Sequence, residues 1–248
     1  MRFSPLPRIA LIQLIVFTAL ALVAPLPFAI ILPGGSQNIF DKIITVKNQK
    51  SYPATGRLDL MSIRVTNPDS WIIGPEIIYS WMKADEAVYP RSAIYPAGTT
   101  TESENKQAKA DMSNSQLDAT TAALSFLRLH PDYGVPANQL SAKNISFDVK
   151  RTGGPSGGTV FAIGVIELLT KRDLLKGRHV AATGTMSTDG KVGAIGGINE
   201  KILAAHRAGV TLFLAPAGNR EEVAHVPSGI KVVIVSSLAE AINALNSN

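Results

Sequence analysis

The C-terminal part of the chain, from about residue 145, alternates between apolar segments of strand length and segments with helical periodicity. The pattern predicts strands at 145–150, 179–183, 210–214 and 231–235. Helices are predicted from residue 158 to about 170, at 199–208 and at 238–245. Strands that alternate with helices are typical of sheets covered by helices. The sequence therefore predicts an α/β or mixed α+β sheet domain.

The N-terminal part carries a long apolar run. Residues 9–33 contain no charged side chain, and a helix of that length could cross a hydrocarbon core of about 30 Å. Arg2 and Arg8 precede the run, which by the positive-inside rule predicts a cytoplasmic N-terminus. We therefore expect a single-pass anchor at 1–33 in the cytoplasmic membrane, with the rest of the chain on the extracytoplasmic side. The alternative is a cleaved signal peptide, but Pro25 directly follows the small-residue site and disfavours cleavage.

The middle of the chain gives weaker patterns. Residues 34–54 are predicted as a linker with a short extended piece at 43–46, and the globular domain is predicted at 55–248. An amphipathic helix is predicted from Asn114 or Ser115 to about Leu129. The remaining predicted elements are a strand at 58–66, a helix at 73–82, a polar, turn-rich segment at 97–105 and a loop at 131–142.

Composition excludes several classes of function. The chain has no cysteine, which excludes disulfides, thiolate catalysis and cysteine-based zinc sites. The net charge is only +5, and the Lys and Arg residues are scattered, so no nucleic-acid partner is expected. We predict neither a metal nor a cofactor, because the histidines form no HExxH motif. A Ser-His-Asp arrangement stays open, since it is defined in space. The histidines are His130, His179, His206 and His225.

One serine lies in an unusual turn. Ser156 is surrounded by glycines in the segment Gly-Gly-Pro-Ser-Gly-Gly at 153–158, between a predicted strand and a predicted helix. Glycines let a substrate approach the main chain closely, and amides at a helix N-terminus can hold an oxyanion. Ser156 is therefore a candidate nucleophile. The alternatives are a plain turn or a phosphate-binding loop, although the Gly-Lys-Ser/Thr ending of a P-loop is missing.

One lysine lies on an apolar helix face. On helical spacing, Lys201 shares its face with Ile198, Ala205 and Ala208. Burial on such a face lowers the pKa of an amine, and a neutral amine can accept a proton from a serine hydroxyl. The alternative is a lysine whose stem covers apolar surface while its amine stays in water.

Three segments of the chain resemble the proteolytic domain of Lon-type peptidases, and they occur in the same order along the chain as in the family. The serine turn resembles the family signature Gly-Pro-Ser-Ala-Gly, and residues 196–209 resemble the lysine-bearing helix. Residues 182–185, Ala-Thr-Gly-Thr, resemble the strand end that carries Met-Thr-Gly-Glu. The resemblance is strong over about 145–245. The chain differs from the family pattern at Gly153, usually acidic, at Gly157, usually alanine, and at Thr185, usually glutamate.

The resemblance implies the Lon proteolytic-domain fold and assigns roles to individual residues. Ser156 would be the nucleophile, Lys201 the general base, and Thr183 the residue that orients the lysine. Backbone amides near Ser156 would form the oxyanion hole, with Gly153, Gly154 and Gly157 as the supporting positions. The resemblance also implies a protein or peptide substrate and a homo-oligomer, often a hexameric ring.

No Walker motif occurs in the sequence, so we expect an ATP-independent serine endopeptidase that cleaves unfolded or exposed segments. The plan is similar to membrane-anchored Lon-like peptidases of bacteria, except that residues 129–144 are too few for a PDZ module. Two other functions stay open. One is a catalytically weak or inactive Lon-fold scaffold at the membrane, suggested by Gly153 and Thr185. The other is a binder of small phosphate ligands.

Overall fold

The computed structural model describes residues 7–149, 152–224 and 226–247. Arg2, Lys150 and His225, which enter the predictions above, lie outside these residues. The elements are, in chain order, α1 (Arg8–Val23), β1 (Phe28–Asn38), β2 (Ile44–Val46), β3 (Arg57–Val65), α2 (Gly74–Trp81), β4 (Ala87–Pro90), α3 (Arg91–Ile94), α4 (Thr101–Leu129), β5 (Ile145–Phe147), α5 (Gly158–Leu169), β6 (His179–Ala182), β7 (Thr185–Met186), β8 (Val192–Gly193), α6 (Ile198–Arg207), β9 (Leu212–Pro216), β10 (Lys231–Val235) and α7 (Leu238–Ser247).

The chain divides into two compact units. The smaller unit consists of residues 1–32 and 65–101, and the larger unit of residues 33–64 and 102–248. In the smaller unit, the first half of β1 pairs antiparallel with β4, and Ile30, Ile72 and Ile77 form a small apolar cluster. Helix α2 begins with Pro75 in its first turn, a position that needs no amide hydrogen, and Glu76 accepts a hydrogen bond from the amide of Ile73.

The larger unit is built on four neighbouring parallel strands. The order of its strands is β10-β9-β6-β3, followed by the second half of β1, and the pairs β3–β6, β6–β9 and β9–β10 are parallel. Residues of β9 alternate between two apolar clusters, because successive side chains of a strand point to opposite faces. Helices α4, α5 and α7 contribute to one cluster and α6 to the other. This confirms the predicted mixed α/β class.

Helix α5 is the centre of the larger unit. All of its residues are buried, so it is covered on every side rather than amphipathic. Gly164 makes one of these contacts possible, since a Cβ atom there would lie 2.3 Å from Cδ1 of Ile39. Because α5 is packed on all sides, it fixes the position of the turn at 153–157 that directly precedes it.

The sequence predicts one helix over the apolar run at 9–33. The structure instead has a helix and a strand there. Helix α1 ends at Val23, and β1 begins at Phe28. The separation has a physical cause in Pro25 and Pro27, since proline fixes φ, lacks an amide hydrogen and disfavours helical geometry in the residue before it. Across the described residues, no helix combines the length and the hydropathy that crossing a bilayer requires.

The predicted linker at 34–54 contains part of the fold instead. Strand β1 continues to Asn38, β2 pairs with β5, and Ile39, Ile43 and Ile44 are buried in the main core. Gly34 marks close packing rather than flexibility, because a Cβ atom there would lie 2.4 Å from the backbone oxygen of Ser62.

Helix α4 begins much earlier than predicted. It starts at Thr101 rather than at Asn114 or Ser115, so the segment at 97–105 is mostly helical. Its first turns bury little, which removes the periodic signal, but Glu102 and Glu104 complement the positive end of the helix dipole. Gln107 also donates a hydrogen bond to Asp111 one turn later, at 2.7 Å.

Candidate active site

The serine turn is packed tightly at the start of α5. Ser156 is half-buried and directly precedes Gly157, the N-cap of this helix. A Cβ atom at Gly157 would lie 2.8 Å from the ring of Phe161, and one at Gly158 would lie 2.5 Å from the backbone nitrogen of Met186. Side chains at these two positions are therefore excluded by neighbours, and Ser156 is held in one place.

Hydrogen bonds join the serine turn to the end of strand β6. The backbone oxygen of Ser156 accepts from the amide of Gly184 at 3.0 Å and from Oγ1 of Thr183 at 3.1 Å. In the other direction, the amide of Thr159 donates to the oxygen of Gly184 at 3.1 Å. The turn and the strand end are thus aligned by a reciprocal set of bonds.

Lys201 reaches the serine hydroxyl from helix α6. Its Nζ atom lies 2.6 Å from Oγ of Ser156 and 3.1 Å from Oγ1 of Thr183. Gly197 caps this helix with a φ of 68°, a left-handed conformation that favours glycine. The lysine side chain is only 2% exposed, so the alternative of an amine that stays in water is wrong.

Burial changes the protonation equilibrium of the Lys201 amine. Desolvation lowers the pKa of its amine from the ordinary 10.5 to about 7. No carboxylate among the described residues counteracts this effect on the amine. Near neutral pH a substantial fraction of the lysine is therefore uncharged, and its lone pair can accept the proton of the Ser156 hydroxyl at hydrogen-bonding distance.

The three supporting glycines lie in two different environments. Gly157 lies at the start of α5, next to the serine. Gly154 has a φ of 86°, and its amide donates to the backbone oxygen of Ala108 in α4 at 2.8 Å. Gly153 also packs on Ala108, since a Cβ atom on Gly153 would lie 2.7 Å from that of Ala108. The Gly154 amide is thus engaged by α4 in this structure.

Helix α4 contributes to the site in a way that the sequence did not predict. Ser115, considered only as a possible helix cap, is buried and donates from Oγ to the backbone oxygen of Pro155 at 2.9 Å. Its spacing from Met112 and Ala119, both buried, could have placed it on the inner face. A cavity of about 110 Å³ opens beside the turn, lined by Asp111, Asn114, Ser115, Asp118, Pro155, Thr185 and Met186.

Among the described residues, His179 is the histidine that contacts a carboxylate, but it is not arranged as in a Ser-His-Asp triad. His179 lies 2.7 Å from a buried carboxylate oxygen of Asp59. The hydroxyl of Ser36 donates to the same Asp59 carboxylate and not to the imidazole of His179. In a Ser-His-Asp triad the serine hydroxyl contacts the imidazole, so these three residues do not form one. In residues 7–149, 152–224 and 226–247, no three His, Asp or Glu side chains are grouped so that they could hold a metal ion.

The mixed α/β fold of the larger unit fits a Lon-type proteolytic domain. A family model described as the Lon protease (S16) C-terminal proteolytic domain matches residues 102–247. The chain belongs to this family, which is a family of serine peptidases.

Individual Lon proteases are similar to the same part of the chain. The Lon protease of Desulfosudis oleivorans is 34% identical over 141 residues, 53% of this chain and 17% of the relative. Lon protease 2 of Herpetosiphon aurantiacus is 29% identical over 188 residues, 72% of this chain and 22% of the relative. The Lon protease of Dictyoglomus thermophilum is 38% identical over 87 residues, 35% and 11% of the two chains. The alignments thus span about a tenth to a fifth of the length of these relatives.

Proposed function

We propose that the chain is an ATP-independent serine endopeptidase whose catalytic dyad is Ser156 and Lys201. The observation that carries the proposal is the distance of 2.6 Å between the lysine Nζ and the serine Oγ. The burial of the lysine, which brings its pKa to about 7, supports the same assignment. A serine becomes a useful nucleophile when a base of suitable pKa lies within hydrogen-bonding reach.

The reaction follows from this geometry. Neutral Lys201 accepts the hydroxyl proton while Oγ of Ser156 attacks the carbonyl carbon of the scissile peptide bond. The lysine then donates that proton to the leaving amine, and an acyl-enzyme ester remains on Ser156. In the second half, Lys201 accepts a proton from water, the hydroxide attacks the ester, and the serine regains its proton from the lysine.

The developing oxyanion needs amide donors near the serine. The amides of Ser156 and Gly157 lie at the positive end of α5, which suits this role. Gly153 and Gly154 are supporting positions in the proposal, and the Gly154 amide would become a donor only after it releases the oxygen of Ala108. Substrate binding would therefore involve a small movement of the serine turn away from α4.

Thr183 is proposed as a positioning residue. Its hydroxyl accepts from Lys201 Nζ and donates to the Ser156 backbone oxygen, so it aligns both members of the dyad. We expect Thr183→Val to lower kcat by about tenfold with little change in KM, because the ground-state contacts with substrate remain. Thr183→Ser keeps the hydroxyl and should restore most of kcat. An unchanged kcat in Thr183→Val, or an equal loss in Thr183→Ser, would contradict the role.

The proposal extends to substrate and assembly. We propose that the substrate is an unfolded or loop segment of a protein, whose side chain next to the cleaved bond enters the cavity beside Pro155. Nucleotide independence is proposed because the 248 residues hold no Walker motif. A homo-oligomer, with a hexameric ring as the first expectation, is proposed from family membership.

Location is a further part of the proposal. We propose that the chain works on the extracytoplasmic side of the cytoplasmic membrane and is attached to it by its N-terminal region. The support is the segment 9–33, which carries no charged side chain. The apolar side chains of α1 are also exposed to an unusual degree.

The test of the dyad combines cleavage and labelling. The full chain in mild detergent is incubated with casein in the absence of nucleotide, and products are identified by mass spectrometry. A fluorophosphonate probe is then expected to attach to Ser156 in the unsubstituted chain but not in Lys201→Met. Cleavage that requires ATP would overturn nucleotide independence. An adduct that forms on Ser156 equally well in Lys201→Met would overturn the role of the lysine.

The pH dependence of casein cleavage is a separate prediction. The active base is the uncharged amine of Lys201, whose pKa is about 7. We therefore expect kcat/KM to fall about tenfold for each pH unit below about 7 and to level off above it. The measurement is kcat/KM from pH 5.5 to 9.5 in buffers of constant ionic strength. A midpoint near 10 would show that the lysine is not desolvated in solution.

The second candidate function is a Lon-fold scaffold without turnover. The bond from the Gly154 amide to Ala108 favours it, because a permanently engaged amide would leave the oxyanion poorly supported. Correct folding without casein cleavage and without any fluorophosphonate adduct on Ser156 would select this alternative over the peptidase.

A further inference from the structure

Helix α1 in the smaller unit exposes apolar side chains all around its circumference. None of its residues is buried. Its exposed apolar residues are between 46% and 73% accessible and are Ile9, Leu11, Ile12, Leu14, Ile15, Val16, Phe17, Leu20, Leu22 and Val23. A helix in water normally buries such a stripe, so α1 lacks the covering that its composition requires.

A second apolar surface in the same unit is formed by α2 and the residue Trp71. Ile77 and Ser80 face the inside of the unit and are buried, whereas their neighbours point outward. The outward side chains are between 57% and 81% exposed and are Trp71, Ile78, Tyr79, Trp81 and Met82. We call these five residues the aromatic face. An exposed cluster of this kind marks an interaction site.

The aromatic face lies at the C-terminal end of α1. The indole Nε1 of Trp71 donates to the backbone oxygen of Val23 at 3.1 Å. At the start of α2, a Cβ atom on Gly74 would lie 3.6 Å from the backbone oxygen of Ala21. The apolar part of α1, residues 9–23, therefore ends beside Trp71 of the aromatic face.

The arrangement fits a lipid bilayer better than a protein. A protein groove covers one side of a helix, whereas the acyl chains of a bilayer cover all sides, and α1 needs covering on all sides. Trp and Tyr are enriched where the hydrocarbon meets the headgroups, because their rings are apolar and carry a polar edge. Lys83, which follows α2, lies over the ring of Tyr79 at 4.4 Å, but its charge is paired with Glu86 at 2.8 Å. The face therefore does not depend on anionic lipid.

We propose that the aromatic face lies in the headgroup region of a phospholipid bilayer whose hydrocarbon surrounds α1. This inference deepens the membrane attachment proposed above and rests on it, but it is independent of the catalytic dyad. It makes the attachment two-part, with α1 in the hydrocarbon and α2 parallel to the surface. The aromatic face has no excess of cationic side chains. We therefore expect it to contact bilayers of zwitterionic phosphatidylcholine, and we expect this contact to persist in high salt.

The chain carries its own probe for this contact. It has two tryptophans, and both Trp71 and Trp81 belong to the aromatic face. The full chain is reconstituted into phosphatidylcholine vesicles, and the emission of Trp71→Phe and Trp81→Phe reports on each remaining tryptophan separately. We expect emission that is blue-shifted from that of an indole in water. Lipids brominated near the headgroup should quench it more strongly than lipids brominated near the chain ends.

Substitutions on the face separate its contribution from that of α1. The double variant Ile78→Ser with Met82→Ser keeps both tryptophans and should shift their emission towards that of water, while the chain still floats with the vesicles. Tyr89→Ser is the matched control, because Tyr89 is an exposed aromatic residue on β4 rather than on α2, and it should leave the emission unchanged. Circular dichroism checks that each variant is folded.

Each other outcome overturns the inference. If the chain floats with vesicles but acrylamide, and not brominated lipid, quenches the tryptophans, the attachment holds and the aromatic face is in water. If the chain does not float, both the attachment and the inference fail, whereas casein cleavage still decides the peptidase separately. A blue shift that depends on protein concentration in detergent without vesicles would assign the face to a second copy of the chain.

Discussion

Replacing Ser156 with alanine, or Lys201 with methionine, is expected to lower kcat/KM for casein by at least about 1,000-fold. The alanine has no oxygen to attack the substrate. The methionine matches the length of the lysine stem but cannot accept a proton, whereas in the proposed dyad Lys201 accepts it across the 2.6 Å between Nζ and Oγ. Initial rates of casein cleavage in the absence of nucleotide measure the effect.

The control variants for this prediction are Ser113→Ala and Lys143→Met, which change exposed side chains of the same two types. Both should keep the activity of the unsubstituted chain. The double variant Ser156→Ala with Lys201→Met should be no slower than either single variant, because two residues that act as a unit are not additive. Cleavage by either single variant within tenfold of the unsubstituted chain would remove the dyad.

Lys201→Met is also expected to stabilise the fold while it removes activity. The amine has a pKa of about 7 in the folded chain and about 10.4 when it is unfolded. At neutral pH the folded chain must therefore either carry a buried charge or lose a proton that the unfolded chain keeps. After the loss of bonds to Ser156 and Thr183 is subtracted, we expect a gain of about 2 kcal/mol in the free energy of unfolding at pH 7.

The same linkage gives the stability difference a defined pH dependence. Between pH 7 and about 10 the unfolded chain binds more protons than the folded chain, so the stability of the unsubstituted chain rises with pH in this window. The advantage of Lys201→Met is therefore largest at or below pH 7 and shrinks towards pH 10. Urea unfolding followed by circular dichroism measures it, because both tryptophans report only on the smaller unit.

Lys143→Met is the matched control for stability, since Lys143 is exposed and its replacement should change the free energy of unfolding little at any pH. A Lys201→Met variant that is less stable than the unsubstituted chain at every pH would show that the amine is solvated in the folded state. That result would also weaken the assignment of Lys201 as a neutral base.

The sequence predicted the C-terminal elements well because their signals are local. The apolar periods at 179–183 and 231–235 mark β6 and β10, and the start and stop residues around 199–208 mark α6. Predictions failed where an apolar run has no internal period, as at 9–33, and where a helix buries little of its surface, as at 101–113. At 9–33 the break comes from Pro25 and Pro27, and in α4 polar interactions such as the Gln107–Asp111 hydrogen bond take the place of an apolar period.

The sequence by itself determined which residues could react and in what order they occur: a serine among glycines, a threonine at a strand end and a lysine on a small-residue helix face. Only the tertiary structure decided that the serine and the lysine, 45 positions apart, are in hydrogen-bonding contact and that the amine is out of water. Only the structure showed the Gly154 amide engaged by α4. The physical reason is that side-chain chemistry and periodicity belong to short segments, whereas desolvation and distance depend on how the whole domain packs.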